Sequence, residues 1–229
     1  MAKKTDNTED KIHVVEEALS KSEQFIERHQ KTLMIIIGAI IVIGLGIFAF
    51  QRLFLVPREK EAQSQMFMAQ KYFEEDSLNK ALNGDGSSVG FLGIIDDYSM
   101  TKACNLSKYY AGIIYLKQGK FEDAITYLKK FSGNDDMVAP MALGGIGDAY
   151  MELGKKDEAL DYYLKAVDRS NNDLSSPIYL MRAAWIYEDM GKYDKAIETY
   201  EKIQKEHYKS LEARDIEKYI ERAKLLAGK

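Results

Sequence analysis

From Leu33 to Phe50 the chain runs LMIIIGAIIVIGLGIFAF, eighteen residues without a charge, an amide or a hydroxyl. At about 1.5 Å rise per residue such a helix is ~27 Å long, close to the ~30 Å hydrocarbon layer of a bilayer. A buried core helix of a soluble protein is the competing reading, but it should show a polar face, and this segment has none. The pattern predicts a transmembrane helix within residues 32–56. Leu53 to Val56 extend it beyond Gln51 and Arg52, whose long side chains can reach back to headgroups. A cleaved signal sequence has an apolar region of about 7–15 residues followed by small residues. Here the run starts only at Leu33 and ends in Phe50-Gln51-Arg52-Leu53-Phe54, so an uncleaved signal anchor is expected.

Residues 1–31 form a leading tail. Met1 to Thr8 is polar and is expected to lack order. From Glu9 to Lys31 apolar residues fall at Ile12, Val15, Leu19 and Ile26, with Phe25 beside the last. That spacing marks one face of a helix, either lying near the membrane surface or docking a cytoplasmic partner. Basic residues near the two ends of the apolar run tie, with Lys21, Arg28 and Lys31 before it and Arg52, Arg58 and Lys60 after it. Lys3, Lys4 and Lys11 tilt the balance toward a cytoplasmic N-terminus, with the larger domain on the far side.

Beyond Pro57 the pattern becomes uniformly amphipathic, and three stretches share one frame. They are Gly112-Ile-Ile-Tyr115-Leu-Lys-Gln-Gly119-Lys-Phe121-Glu-Asp-Ala124, then Gly147-Asp-Ala-Tyr150-Met-Glu-Leu-Gly154-Lys-Lys-Asp-Glu-Ala159, then Ala184-Trp-Ile-Tyr187-Glu-Asp-Met-Gly191-Lys-Tyr193-Asp-Lys-Ala196. The offsets are 147−112 = 35 and 184−147 = 37, and all four anchors shift together. The anchors resemble the tetratricopeptide repeat, a helix-turn-helix unit of about 34 residues. Gly112, Gly147 and Ala184 are expected to let paired helices approach backbone to backbone, as are Ala124, Ala159 and Ala196. Tyr115, Tyr150 and Tyr187 fill the wedge between them. Gly119, Gly154 and Gly191 end the first helix of each pair in a left-handed turn. Leu128, Tyr163 and Tyr200, then Phe131, Ala166 and Ile203, continue the buried stripe of the second helix. Pro140 and Pro177 sit seven residues before the small anchor, in a first turn where a missing N–H costs nothing, and Ser175 or Ser176 can cap the helix carrying Pro177.

The expected fold is therefore all-α: one N-terminal transmembrane helix, then a tetratricopeptide-repeat α-solenoid over 57–229. Its repeats span about 105–138, 140–174 and 177–210, with a C-terminal capping helix over about 211–227. Arg58 to Leu82 reads as one long helix with Met66, Ala69, Tyr72 and Phe73 inward. Asn83-Gly84-Asp85-Gly86 reads as a turn and Phe91 to Tyr98 as a short helix. The capping helix carries Ile216, Tyr219-Ile220, Ala223 and Leu226 on its apolar side, as solenoid ends require.

Composition narrows the functional classes. A net charge of −4 with no basic cluster argues against nucleic acid. The lone Cys104 excludes an internal disulfide; it reads as a small buried hydrophobe, with an intermolecular bridge as the alternative. His13, His29 and His207 are far apart, no metal-ligand spacing occurs, and no nucleophile or nucleotide motif is present. Asn83-Gly84-Asp85-Gly86 lacks the alternating oxygens of a calcium loop. No catalytic residue, cofactor, metal or small-molecule substrate is expected.

The inner wall of such a solenoid is lined by first helices. In this frame the candidate protein-binding residues are Tyr109, Ile113 and Leu116, then Met141, Asp148 and Met151, then Met181, Trp185 and Glu188. Methionines and aromatics suit an adaptable apolar groove, although several of them can equally pack on the capping helix or on the next repeat. Repeats that clamp carboxylate tails use Lys and Asn here. Tyr109, Ile113, Asp148, Met181 and Trp185 occupy those places, which disfavours that mode.

The segments ALNGDG, GFLGIIDDY and NLSKYYAGIIYL, ending at GKFEDAI, resemble the YfgM-like family of ancillary SecYEG translocon subunits in its Bacteroidetes-type form. The layout of short tail, anchor, lead helix and degenerate repeats is similar along nearly the whole chain. The resemblance implies a bacterial inner-membrane protein, held in the lipid bilayer through 33–50, with its repeat domain in the periplasm. It also implies SecYEG, a PpiD-like chaperone or exported polypeptides as partners. An adaptor for cell-envelope assembly would share every feature noted so far.

Overall fold

A computed structural model describes residues 6–228, and the side chains of Ile26 and of residues 28–228. Among the described residues there is no β-strand, only an isolated bridge between Gly84 and Val89, and the all-helical expectation holds. The contacts divide the chain into two units, Met1–Pro57 and Arg58–Lys229.

The first unit is α1 (Asp6–Phe50), followed by one π-helical turn, Gln51–Leu55. The helix begins at Asp6, inside the stretch expected to lack order. Side chains of Ile12, Val15, Leu19 and Phe25 lie outside the described residues, so their face is not characterised; Ile26 is exposed. One helical stretch, Arg28–Glu74, is long and apolar enough to cross a membrane. Its most apolar eighteen residues have a mean hydropathy of 3.0, and none of them is buried by protein.

The second unit takes in α2 (Val56–Glu74) from Arg58 onward, then α3 (Leu78–Asn83) and α4 (Phe91–Asp97). Sequence reading expects one helix to Leu82, but the chain breaks at Asp76, whose φ is 54°. Asp is among the few side chains that tolerate this left-handed region, so no glycine or proline announces the break. Ala62, Met66 and Ala69, one helical turn apart, bury one face of α2 in a core with Phe91, Ile94 and Ala111. The expected turn forms at Gly84–Asp85, where the Asp85 carboxylate accepts hydrogen bonds from the Ser87 and Ser88 amides and from the Tyr72 hydroxyl.

Three helix pairs follow: α5 (Lys102–Lys117) with α6 (Phe121–Lys130), α7 (Val138–Glu152) with α8 (Lys156–Arg169), and α9 (Ser176–Asp189) with α10 (Tyr193–Glu206). Each helix packs on the next in order. Gly119, Gly154 and Gly191 close the first helix of each pair at φ 74°, 72° and 68°, a conformation that costs an L-residue roughly 1–2 kcal/mol. Ala124, Ala159, Ala184 and Ala196 are wholly buried.

At Gly112 the paired backbone does come close, since a Cβ there would lie 3.1 Å from the Leu128 amide nitrogen, but the nearest atoms at Gly112 and Gly147 belong to side chains. A Cβ on Gly112 would lie 2.5 Å from Leu128 Cγ, and one on Gly147 would lie 2.6 Å from the Tyr163 ring. The absent side chains admit a large side chain of the paired helix.

Pro140 and Pro177 are buried in the first turns of α7 and α9. The cap of α9 departs from expectation. Ser175 is itself helical (φ −106°, ψ −35°) and makes no side-chain cap, whereas Asn172 Oδ1 accepts from the Leu174 and Ser175 amides. A 3₁₀ turn, Glu212–Asp215, leads into the terminal α11 (Ile216–Leu226). Ile216, Ile220 and Ala223 close the core, but Leu226 is 52% exposed because the helix ends there, beyond the reach of α10. Cys104 is buried.

Candidate protein-binding groove

The first helices α5, α7 and α9 jointly line a cleft of about 790 Å³. Four of the nine expected residues meet in it: Leu116, Asp148, Met151 and Trp185. Met181 and Trp185 border a second cleft of about 390 Å³ with Tyr219 of α11, and Trp185 and Glu188 border a third of about 530 Å³. Met181 is only 6% exposed, so it backs the wall. Tyr109 and Ile113 pack against the small core of Leu128, Ala142 and Ile146. Met141 is exposed outside these three clefts.

Sequence reasoning missed Arg182, Arg222 and the role of two tyrosines. Asp148 of α7 accepts a hydrogen bond from the Tyr163 hydroxyl of α8 at 2.7 Å and an ion pair from Arg182 of α9. The guanidinium also lies over the rings of Tyr163 and Tyr179, at 5.8 and 5.7 Å. The next junction repeats the arrangement. Glu188 of α9 accepts from the Tyr200 hydroxyl of α10 at 3.1 Å and from Arg222 of α11 at 2.7 Å. In both cases the arginine follows its carboxylate by 34 residues (182−148 and 222−188). That equal spacing was the available signal.

The first junction lacks these charges. Shifting Asp148 and Tyr163 back by 35 gives Ile113 and Leu128, and shifting Arg182 back by 37 gives Gly145. A Cβ on Gly145 would lie 3.1 Å from Leu128 and 3.4 Å from Ile113. The first junction is therefore built from apolar groups and the other two from a tyrosine, a carboxylate and an arginine, with Glu188 standing at the place of Met151 rather than of Asp148 in the repeat frame (188−37 = 151).

Burial sets the electrostatics. It raises the Tyr109 and Tyr179 hydroxyls from 10.0 to about 12. Tyr163 and Tyr200 are raised further, first by burial and then by the charges of Asp148 and Glu188. Burial opposes the Arg182 charge, but Asp148 outweighs it and holds the cation in place. Groups whose pKa rises on folding contribute stability that is complete below their unfolded value of about 10 and lost above it. Stability is therefore expected to fall as pH climbs from about 10 through about 12. Tyrosinate absorbance should show these four residues ionising late in the folded chain and normally in denaturant. Ionisation of all fifteen tyrosines near pH 10 in the folded chain would contradict it.

Residues 109–173 match one tetratricopeptide-repeat family model, and residues 179–210 match another. No curated protein matches the chain. Among solved structures, the chain is similar to the nearly identical TPR-like repeats of a Podosopora anserina kinesin light chain, with a TM-score of 0.55 and 15% identity over 74% of this chain and 88% of that one. It is also similar to MamA, with a TM-score of 0.52 and 21% identity over 73% of this chain and 92% of that one. At these identities the likeness is one of fold.

Proposed function

Because residues 109–173 and 179–210 are tetratricopeptide repeats, we propose that this chain is a membrane-anchored scaffold that binds other proteins. Such repeats are typically non-catalytic protein-binding scaffolds. The observation that carries the reading is the cleft holding Leu116, Met151 and Trp185 in a chain that also has an uncovered apolar helix. Residues 32–56 act as the anchor, with residues 1–31 in the cytoplasm. Residues 57–229 form the repeat domain, in the periplasm beside a bacterial inner membrane. On the resemblance of residues 66–131 to the YfgM-like family, the scaffold is an ancillary subunit of the Sec translocon. Its groove then serves periplasmic chaperones or exported clients.

A photo-crosslinking residue at Trp185, installed in cells, tests this. Capture of translocon subunits or a periplasmic chaperone is the expected outcome. Capture of cell-wall or outer-membrane assembly factors alone would transfer the protein to envelope assembly. Capture of no protein, or protease access to the domain only from the cytoplasmic side, would defeat the reading.

A further inference from the structure

We propose that the cleft spanning the three repeats takes an uncharged, apolar stretch of polypeptide, and that the charged joints between repeats bar acidic segments from it. The inference rests on the protein-binding reading above and specifies the occupant.

Three cations, Lys117, Lys156 and Arg182, and three carboxylates, Asp148, Glu152 and Asp189, line the cleft, so its charge sums to zero. Each cation is already engaged. Arg182 pairs with Asp148, Lys156 with Asp189, and Lys117 with Asp76 at 3.3 Å. An acidic segment would meet cations whose charge is already compensated, so it would lose solvation for little Coulombic gain, with Glu152 repelling it. Apart from the Glu152 carboxylate, what the wall leaves unsatisfied is apolar. Trp185 is 47% exposed and Met151 36%, beside the half-buried Leu116 and Phe121. Apolar side chains laid on these residues remove hydrocarbon from water without disturbing any ion pair. The volume suits a few side chains rather than a folded surface.

Trp185 is the only tryptophan in the chain, so its emission reports directly on the cleft. The test uses the full chain in nanodiscs and two end-blocked synthetic peptides, one of Leu, Phe, Ser and Gly and a second with Asp in place of Ser. The uncharged peptide should shift Trp185 emission saturably. Its affinity should not fall between about 0.1 and about 1 M salt, where the Debye length shrinks from about 10 to about 3 Å. The acidic peptide should bind at least about tenfold more weakly, a difference of ~1.4 kcal/mol.

Met151→Glu, at an exposed position, should weaken the uncharged peptide about tenfold while leaving the circular dichroism unchanged. Asp148→Asn should release the Arg182 charge, so that the acidic peptide gains affinity and becomes salt-sensitive. Preference of the unaltered chain for the acidic peptide would overturn the inference, as would affinity that falls with salt. So would binding without any change at Trp185, or emission that depends on protein concentration alone, the mark of a second copy as occupant. Crosslinked partners together with acidic preference would sink this inference and leave the scaffold reading standing; absence of both partners and peptide binding would sink both.

Discussion

Leu128→Ala should cost the repeat domain about 3–4 kcal/mol and divide its unfolding into two steps. Leu128 is 2% exposed and fills a slot between Gly112 of α5 and Gly145 of α7, so close that a Cβ on either would lie within 2.5 and 3.1 Å of it. Neither glycine has a side chain that could swing into the space vacated, so most of the cavity persists. The position matters as much as the volume. Leu128, Ala142 and Ile146 form a small core between two larger ones, Ala62 to Ile114 on one side and Ala159 to Ala223 on the other. Repeat arrays cooperate mainly through nearest-neighbour interfaces, so weakening this interface uncouples the two ends. Urea unfolding followed by helical circular dichroism and by Trp185 emission should then give separate midpoints, because Trp185 reports only the C-terminal part. Coincident transitions with a loss below about 1 kcal/mol would refute the prediction.

Gly144→Ala should destabilise by about 2 kcal/mol, lowering the melting temperature by ~4–8 °C for a domain of this size. Helix propensity alone predicts the opposite, a gain of about 1 kcal/mol for alanine in the middle of α7. The sign of the result decides between local preference and packing. A Cβ at Gly144 would lie 2.0 Å from Tyr179 Cε1 and 2.4 Å from its hydroxyl. The ring cannot step aside, because it stacks against Tyr163 at 6.1 Å and lies beneath Arg182. The variant must part α7 from α9 or break the Asp148–Arg182 joint. A calorimetric scan showing equal or higher stability would mean that the ring moves freely.

Features that belong to the backbone were legible in the sequence. Gly119, Gly154 and Gly191 end their helices in the left-handed conformation, and Ala124, Ala159 and Ala196 are wholly buried. Both requirements recur with each repeat, so the period exposes them. Half-exposed charges were not legible. Arg182 reads as solvated because nothing near it in sequence is its partner, and its carboxylate lies 34 residues earlier. The break at Asp76 escaped for a related reason, since Asp adopts φ 54° without the glycine that usually marks such a turn. In the groove, the placement of Leu116, Asp148, Met151 and Trp185 together followed from the repeat frame. The burial of Met181 did not, because it depends on packing that the frame does not encode.

Neither carboxylate is neutralised from within its own helix pair. Asp148 waits for an arginine on α9 and Glu188 for one on α11, so the terminal helix finishes a motif that the third repeat begins. An array built this way has a polarity of assembly. Of the three pairs, only α9 with α10 carries both parts, the base for its predecessor (Arg182) and an acid for its successor (Glu188), whereas α7 carries the acid alone. Deleting α11 alone would leave an acid without its counterpart at the growing end. Loss of α11 is therefore expected to be tolerated only together with loss of the Glu188 charge.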